Sequence, residues 1–238
     1  MISFFIPIKK ISRRVKKKNT KRVFNYKLGL TEIKISQLQK FKNFSKKDSL
    51  LKNQKFEFVI SSDDKKVEDY VKKFKWIKFD KRPKRLCRDD CLDDLIKYVP
   101  KICKGNYIIW SHVTSPFFDH KSFTHFIKSF LNKKNKFDSA FSADKVQSFI
   151  FNLTKKKWIS HDRSKKKWPR TQDLDRIFKI NHAAFIARRK IYEIYNDRIG
   201  NRPFPIVSEE KKNNETFDID NKFDFDLFKT ILKKNENI

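Results

Sequence analysis

The chain has 238 residues, enough for one large domain or one domain with a small appendage. Its formal net charge is +30, yet 38% of it is hydrophobic and 15% aromatic, so it can bury a core and is not a disordered polycation. The three glycines, Gly29, Gly105 and Gly200, stand far apart, which excludes collagen-like repeats and the glycine-rich loops of the common dinucleotide and triphosphate binders.

Ile2 to Ile8 reads as a buried strand, followed by a basic loop from Lys9 to Arg22. Leu28 to Phe41 is expected to be helical, and Lys42 to Lys55 a lysine-rich connection. Phe56 to Ile60 is a second strand, rich in Phe, Val and Ile. Ser62 offers an N-cap to a helix with Val67, Tyr70, Val71 and Phe74 on one face, and Asp63 and Asp64 suit its first turn. A further helix carries Leu92, Leu95, Ile96 and Val99, with Pro100 kinking or ending it. Tyr107 to Trp110 is a strand. The next helix, with Phe123, Phe126, Ile127, Phe130 and Leu131, has Pro116 and Asp119 at its start. Phe137 to Ala143 is again a strand.

From Lys145 to Asp175 the rhythm breaks, and basic residues mix with Trp158 and Trp168 in an excursion from the main domain. A strand from Ile180 to Ala187 and a helix near Ile191 to Tyr195 follow. The last helix runs through Leu227, Phe228, Ile231 and Leu232, capped by Asp220 or Asn221. Strands alternating with helices imply a mostly parallel sheet covered on both faces, that is, an α/β fold. Ligands of such sheets bind beyond the carboxyl ends of the strands, here the loops after Ile8, Ile60, Trp110 and Ala187.

Two readings of the charge compete. One is a nucleic-acid or anionic-surface binder, supported by the runs Lys16 to Lys18, Lys155 to Lys157 and Lys165 to Lys167 beside tryptophans. The other is compositional bias, since most of the basic residues are lysine in a chain rich in Phe, Asn and Ile. Cys87, Cys91 and Cys103 are odd in number and form no CxxC pair, which argues for a reducing compartment and against a disulfide framework or a zinc site. No apolar run reaches membrane-spanning length, and the apolar start precedes a basic stretch, the reverse of a secretion signal. A cytoplasmic protein is expected.

Two constellations can carry chemistry. Lys9 to Asn19 is a basic loop after the first strand, able to surround a polyphosphate. As a bare charge run it fits a solvated lysine loop equally well. The second is acidic: Phe217-Asp218-Ile219-Asp220, then Asp224 and Asp226. In an extended segment Asp218 and Asp220 share a face, and two like charges there favour a cation between them, best a hard divalent ion. The plainer role of Asp220 is a helix cap, and of Asp224 and Asp226, first-turn acids. A polyphosphate loop and a metal-binding acid pair in one α/β domain suggest nucleotidyl transfer.

These motifs resemble the acylneuraminate cytidylyltransferases, the CMP-sialic acid synthetases, with the Kdo cytidylyltransferases as close kin. Pro7-Ile8-Lys9-Lys10-Ile11-Ser12-Arg13-Arg14-Val15-Lys16-Lys17-Lys18-Asn19 fits the family's P-A-R-G-G-S-K-x-x-P-x-K-N loop without a gap. Val59 to Asp64 is similar to V-I-V-S-T-D-S, and Arg82-Pro83 to an arginine-proline pair. His112-Val113-Thr114-Ser115-Pro116 stands for Q-P-T-S-P, and Arg170 to Leu174 for R-R-Q-D-L. Asn181 to Ile186 stands for N-G-A-I-Y-I, and Phe217 to Asp224 for I-D-I-D-T-x-x-D. The matches are collinear from Phe4 to about Leu232.

The resemblance implies a three-layer α/β sandwich of the nucleotide-diphospho-sugar transferase type. Residues 1–144 and 176–238 would form the nucleotidyltransferase domain, and 145–175 a dimerisation and sugar-contacting excursion. It implies attack by the anomeric hydroxyl of a nonulosonic acid on the α-phosphate of CTP, with Mg²⁺, in a homodimer. Neither membrane nor nucleic acid would be a partner. Lys9, Ser12, Lys18 and Asn19 would hold the phosphates or shape the loop, and Arg82, His112 and Thr114 would line the nucleotide pocket. Asp218 and Asp220 would bind the metal. Lys18 and Asp220 would act in catalysis, with Asp220 helping to deprotonate the hydroxyl. Arg170, Asn181 and Phe185 would contact the sugar. The chain departs from the pattern at Lys10 and Ile11, where the loop has glycines, at His112 for glutamine, at His182 for glycine, and at Cys91 for a hydroxyl residue. Two other readings stay open: a basic nucleic-acid-binding protein on this fold, and a catalytically weakened homologue serving as a partner subunit.

Overall fold

A computed structural model describes residues 1–208 and 214–236. Strands β1 (Ile2–Ile8), β2 (Phe56–Ser62), β3 (Ile77–Lys81), β4 (Tyr107–Ser111) and β5 (Ser139–Val146) precede a two-stranded hairpin, β6 (Phe151–Asn152) and β7 (Lys157–Trp158). Then come β8 (Ile177–Arg188) and β9 (Pro203–Val207). Seven of these form one sheet in the order β3-β2-β1-β4-β8-β5-β9. β8 alone runs against its neighbours β4 and β5; the other pairings are parallel.

β1 shows why the apolar runs are continuous. Phe4, Ile6 and Ile8 enter the cluster on one face and Phe5 the cluster on the other, so both faces are dry and no polar alternation survives. Helices α1 (Gly29–Ser45), α2 (Lys65–Val71), α4 (His120–Leu131) and α6 (Lys222–Glu236) cover the first face. Helices α3 (Leu92–Ile102) and α5 (Arg189–Tyr195) cover the second. The layers are therefore helix, sheet, helix. The abundant phenylalanine is core: the Phe4 ring lies 5.1, 5.0 and 5.2 Å from those of Phe41, Phe58 and Phe123.

Several expectations need correction. Because β8 is reversed, the loop after Ala187 lies at the edge opposite the ends of β1, β2 and β4; residues 181–183, before its central part, lie beside the end of β4 instead. β3 and β9 were not foreseen. Both are short outer strands, one alternating apolar residues with Lys78 and Asp80 and the other holding Pro203 and Pro205, and proline is tolerated at a sheet edge where no second ladder is needed. The expected strand 137–143 sits later, at Ser139–Val146.

Ser62 is not the cap of α2, because β2 runs two residues further than expected. Asp64 caps it, accepting from Lys66 N at 3.0 Å, while Ser62 Oγ accepts from Asp64 N at 3.0 Å. Asp63 instead receives Lys10 N at 2.8 Å. α1 continues to Ser45, and Pro100 stands inside α3, which ends only at Ile102. A proline so near a helix end forfeits little.

The buried Lys34 ties this frame to the loop after β4. Its Nζ donates to the carbonyls of Ser115 (3.0 Å) and Phe118 (3.1 Å) and lies 5.1 Å from the Phe123 ring centre. Burial pulls its pKa down to about 7. The folded protein therefore sheds this proton near neutrality while the unfolded chain keeps it to about 10.5, so stability rises with pH across that window. Urea unfolding at pH 7 and pH 9 should show the wild type gaining about 1–2 kcal/mol relative to Lys34→Met. An unchanged difference between the two proteins would show that Lys34 keeps an ordinary pKa.

Candidate active site

A cavity of about 610 Å³ opens at the carboxyl ends of β1, β2 and β4. Its walls are the loop 9–19, the segment 82–95 and the end of β4 from Trp110 to Thr114. The volume suits a small organic ligand. Lys9, Ser12, Lys18, Asn19, Arg82, His112, Thr114 and Asp220 line it.

The basic loop is folded on itself, not splayed. Asn19 Nδ2 donates to the Lys9 carbonyl at 2.9 Å, closing its two ends, and Val15 is buried in the core. Neither Lys10 nor Ile11 has a left-handed backbone; that conformation falls at Lys17 (φ 56°). Replacing glycine at 10 and 11 therefore forces no strain. Where glycine is needed is Gly29, at φ 51°, since a Cβ there would stand 2.0 Å from the Lys21 carbonyl oxygen. The loop's cations are met by acids of other segments. Lys9 and Arg13 both pair with Asp89, and Arg14 pairs with Asp220 at 2.9 Å. These pairs are solvent-exposed and individually weak.

The acidic segment reaches the cavity through one backbone bond. Ile219 N donates to the Thr114 carbonyl at 2.9 Å, and the Ile219 side chain is fully buried. Asp218 and Asp220 flank it. Lys18 Nζ donates to the Ile219 carbonyl, and the Thr114 hydroxyl bonds Asp218. Burial, then Asp220, push the Asp218 carboxyl up from its ordinary value against the opposing pull of Thr114 and Lys18. Burial pulls Lys18 down, while Asp218 and Asp220 oppose it. Asp218 Oδ1 is buried without a hydrogen-bond partner.

The helix cap falls to Asn221, whose Oδ1 accepts from Asp224 N at 3.1 Å. Asp224 Oδ2 in turn accepts from the backbone N–H of Asp220 and of Asn221, both at 2.9 Å. The Asp220 carboxylate is thus not spent on the helix. Asp226 pairs with Lys229 at 2.6 Å. Two carboxylates, one with an orphaned oxygen, form an all-oxygen donor set that fits a hard divalent cation. Among the described residues no group of three or more His, Cys, Asp or Glu side chains is placed to hold a metal ion, so further ligands would come from phosphate or water.

Arg82 is buried at the cavity wall, its Nε donating to Ser61 Oγ at 3.1 Å and its Nη2 to the Ser61 carbonyl. The Cys91 thiol donates to the Arg88 carbonyl at 2.9 Å. At His112 the chemistry is sharper. Trp110 Nε1 lies 3.1 Å from His112 Nε2. An indole N–H can only donate, so Nε2 is the acceptor and the imidazole proton sits on Nδ1. Burial first, then Arg198 and the neighbouring basic side chains His182, Lys34 and Lys18, push the His112 pKa down to about 3. His112 is therefore neutral, and its ring N–H is a donor, whereas a glutamine amide would offer both donor and acceptor.

The three residues expected at the sugar stand away from this cavity. Asn181 is buried, its Nδ2 donating to Asp144 Oδ1 at 3.1 Å and its Oδ1 accepting from Ala183 N at 3.2 Å. It braces the irregular stretch of β8 where the register against β5 shifts and His182 takes φ 62°, the geometry that suits the glycine of the family pattern. Phe185 is buried beneath the Arg198 guanidinium, 4.0 Å from its ring centre. Arg170 lies on the surface, paired with Asp173 at 2.9 Å. Sequence reading missed Asp89 and Arg198: neither lies in a motif, and each acquires a partner only through the fold.

Ring-nitrogen NMR of the wild type should show His112 as the neutral Nδ1–H tautomer from pH 5 to 8. Trp110→Phe should release the tautomer and raise the pKa. An imidazolium signal for His112 at pH 6 in the wild type would contradict this assignment.

The cytidylyltransferase family model matches residues 4–235. No curated protein sequence matches the chain significantly. Among solved structures, a CMP:2-keto-3-deoxy-manno-octonic acid synthetase complexed with CTP superposes with a TM-score of 0.63 at 13% identity, covering 98% of this chain and 99% of that one. The 4-diphosphocytidyl-2C-methyl-D-erythritol synthase of Anaerococcus prevotii gives 0.60 at 13% identity, covering 98% of each. A cytidylyltransferase of Leptospira borgpetersenii gives 0.58 at 12%, covering 98% of this chain and 87% of that one. At such identities the structures establish a shared fold, a seven-stranded mixed sheet between helical layers. With the family model spanning nearly the whole length, the chain belongs to the cytidylyltransferase family.

Proposed function

We propose that this cytidylyltransferase activates a sialic-acid-like nonulosonic acid, giving the CMP-sugar and pyrophosphate. The observation that carries the reading is the meeting of the Lys9–Lys18 loop with Asp220 at one cavity, with Asp218 close by and coupled to Lys18. Asp89 occupies Lys9 and Arg13 as phosphate oxygens would, and triphosphate would displace it. Lys18, held between the Ile219 carbonyl and the acid pair, is placed to offset charge on the leaving pyrophosphate. His112 accepts from the Trp110 indole beside the end of β4, which leaves its Nδ1–H as the donor for a bound nucleotide.

Asp218 and Asp220 would hold Mg²⁺, which when bound neutralises phosphate charge and acidifies the attacking hydroxyl. That hydroxyl oxygen bonds to the α-phosphorus, the α–β bridge bond breaks with its electrons leaving on pyrophosphate, and Asp220 takes the proton. Within one protomer Arg170 lies outside the cavity. A homodimer formed through the 145–175 excursion, whose Trp168 is 62% exposed, would bring it to a neighbouring site. Asn181 and Phe185 would then support the sugar pocket from behind. Three free thiols suit a cytoplasmic enzyme, and among the described residues no helix is long and apolar enough to cross a membrane.

Pyrophosphate release with CTP, Mg²⁺ and a panel of nonulosonic acids tests the reading. Asp218→Asn and Asp220→Asn should each lower kcat roughly 10²–10⁴-fold while CTP still raises the melting temperature. No turnover with any acid, together with no shift in melting temperature by CTP, would overturn it. Asp89→Asn should lower the KM for CTP about 2–5-fold by freeing Lys9 and Arg13, with little change in stability. A higher KM would mean that Asp89 helps to shape the site.

A further inference from the structure

Beyond the end of β4, Arg198 stacks on two aromatic rings. Its guanidinium carbon lies 4.0 Å from the Phe185 ring centre and 5.0 Å from that of Trp110. The two rings are neighbours across the sheet, since Trp110 on β4 pairs with Phe185 on β8. Nη1 is sealed from solvent without a hydrogen-bond partner, close to the similarly unpartnered hydroxyl of Tyr192. Asp197, the adjacent acid, turns its Oδ1 to the backbone N–H groups of Arg198 and Ile199 at 2.6 and 3.2 Å. Among the described residues no carboxylate lies within ion-pair distance of Arg198, and nothing accepts from its Nε or Nη2.

The arginines around the cavity differ from it. Arg13 pairs with Asp89, Arg14 with Asp220, Arg88 with Asp90, and Arg82 is spent on Ser61. Arg198 is half-buried, oriented by two rings, and, among the described residues, without a carboxylate in ion-pair contact; Asp197 acts on it only from a distance. With Nη1 sealed, the edge left for a ligand is that of Nε and Nη2, the two parallel N–H groups that take a carboxylate side-on. Stacking fixes the plane of this fork in advance, so little side-chain freedom is lost when it binds. Arg198 flanks the cavity one side chain behind its wall. It lies over Trp110, which lines the cavity and holds His112, and it is the foremost charge acting on His112. Arg198 is itself not a lining residue, so an acceptor would reach this edge only by extending past His112.

We infer that Arg198 is a specificity-determining residue for the acceptor, its Nε–Nη2 edge binding the carboxylate of a sugar acid. The inference rests on the reading of this cavity as a cytidylyl-transfer site and deepens it: an acceptor must carry an acid group, and a neutral sugar or its ester is rejected. Arg170, in contrast, is already matched by Asp173.

The test compares the full-length wild type, Arg198→Leu and Arg198→Lys with CTP and Mg²⁺. The acceptors are N-acetylneuraminate, 2-keto-3-deoxy-manno-octonate and their methyl esters. In the wild type the acids should be preferred over the esters by about 100-fold in kcat/KM, as expected for loss of a charge-assisted bidentate pair. Arg198→Leu should raise the KM for the acid about 30-fold or more, leave the KM for CTP within twofold, and collapse the acid-over-ester preference. Arg198→Lys should restore part of it. A loss of packing alone would lower activity on acid and ester alike, and that result overturns the inference. So does an unchanged acceptor KM in Arg198→Leu, or a wild type that uses the esters as well as the acids; in both cases cytidylyl transfer still stands. Failure of the wild type to bind CTP would overturn the function itself, and this assignment with it.

Discussion

One backbone hydrogen bond, from Ile219 N to the Thr114 carbonyl, carries more of this site than any side chain does. It joins a segment from the end of the chain to the end of a central strand. Ile219 is driven into the core by its apolar side chain, and alternation in the extended segment then turns Asp218 and Asp220 the other way. Lys18 closes the arrangement from the opposite wall by donating to the Ile219 carbonyl. The hydrophobic burial of one isoleucine thus brings together two acids and a cation separated by some two hundred positions in the chain. Without it Asp218 would have no reason to sit half out of water with an oxygen unpartnered, a cost that only a bound cation or proton would offset.

The electrostatics of the cavity follow from that geometry. In a chain of net charge +30 the site is not simply positive. Acids from three places, Asp63, Asp89 and Asp220, hold the basic loop by its backbone and by its side chains. The cations are consequently pre-positioned yet weakly held, since exposed pairs of this kind cost little to exchange for phosphate oxygens. His112 shows the complementary effect. Surrounded by positive charge and fixed by an indole donor, it is kept neutral and therefore acts through a hydrogen bond, not a charge.

Much of the scaffold was legible from residue pattern. The apolar run of β1 and the helix with Phe123, Phe126 and Phe130, with Asp119 at its start, express local physics, and the structure places them as expected; there Asp119 serves as the N-cap. The outer strands β3 and β9 were not legible, because their residues form strands only through a neighbour already in place. The direction of β8 was also hidden. A buried strand reads the same in either direction, so the loop after Ala187 was assigned to the wrong edge.

Sequence alone determined the α/β class, the basic loop after β1 and the acid pair near the end of the chain, since each is a matter of residue type at short range. Which of these meet was decided by the tertiary structure. The fold gathers Lys9, Lys18, His112, Thr114 and Asp220 at one cavity, sets Asn181 and Phe185 behind it, and leaves Arg170 on the surface with Asp173. Asp89 and Arg198 belong wholly to that second category. An aspartate and an arginine outside any motif have no readable role, because what defines them is the charge one meets and the charge the other lacks, and both are properties of contacts between distant segments.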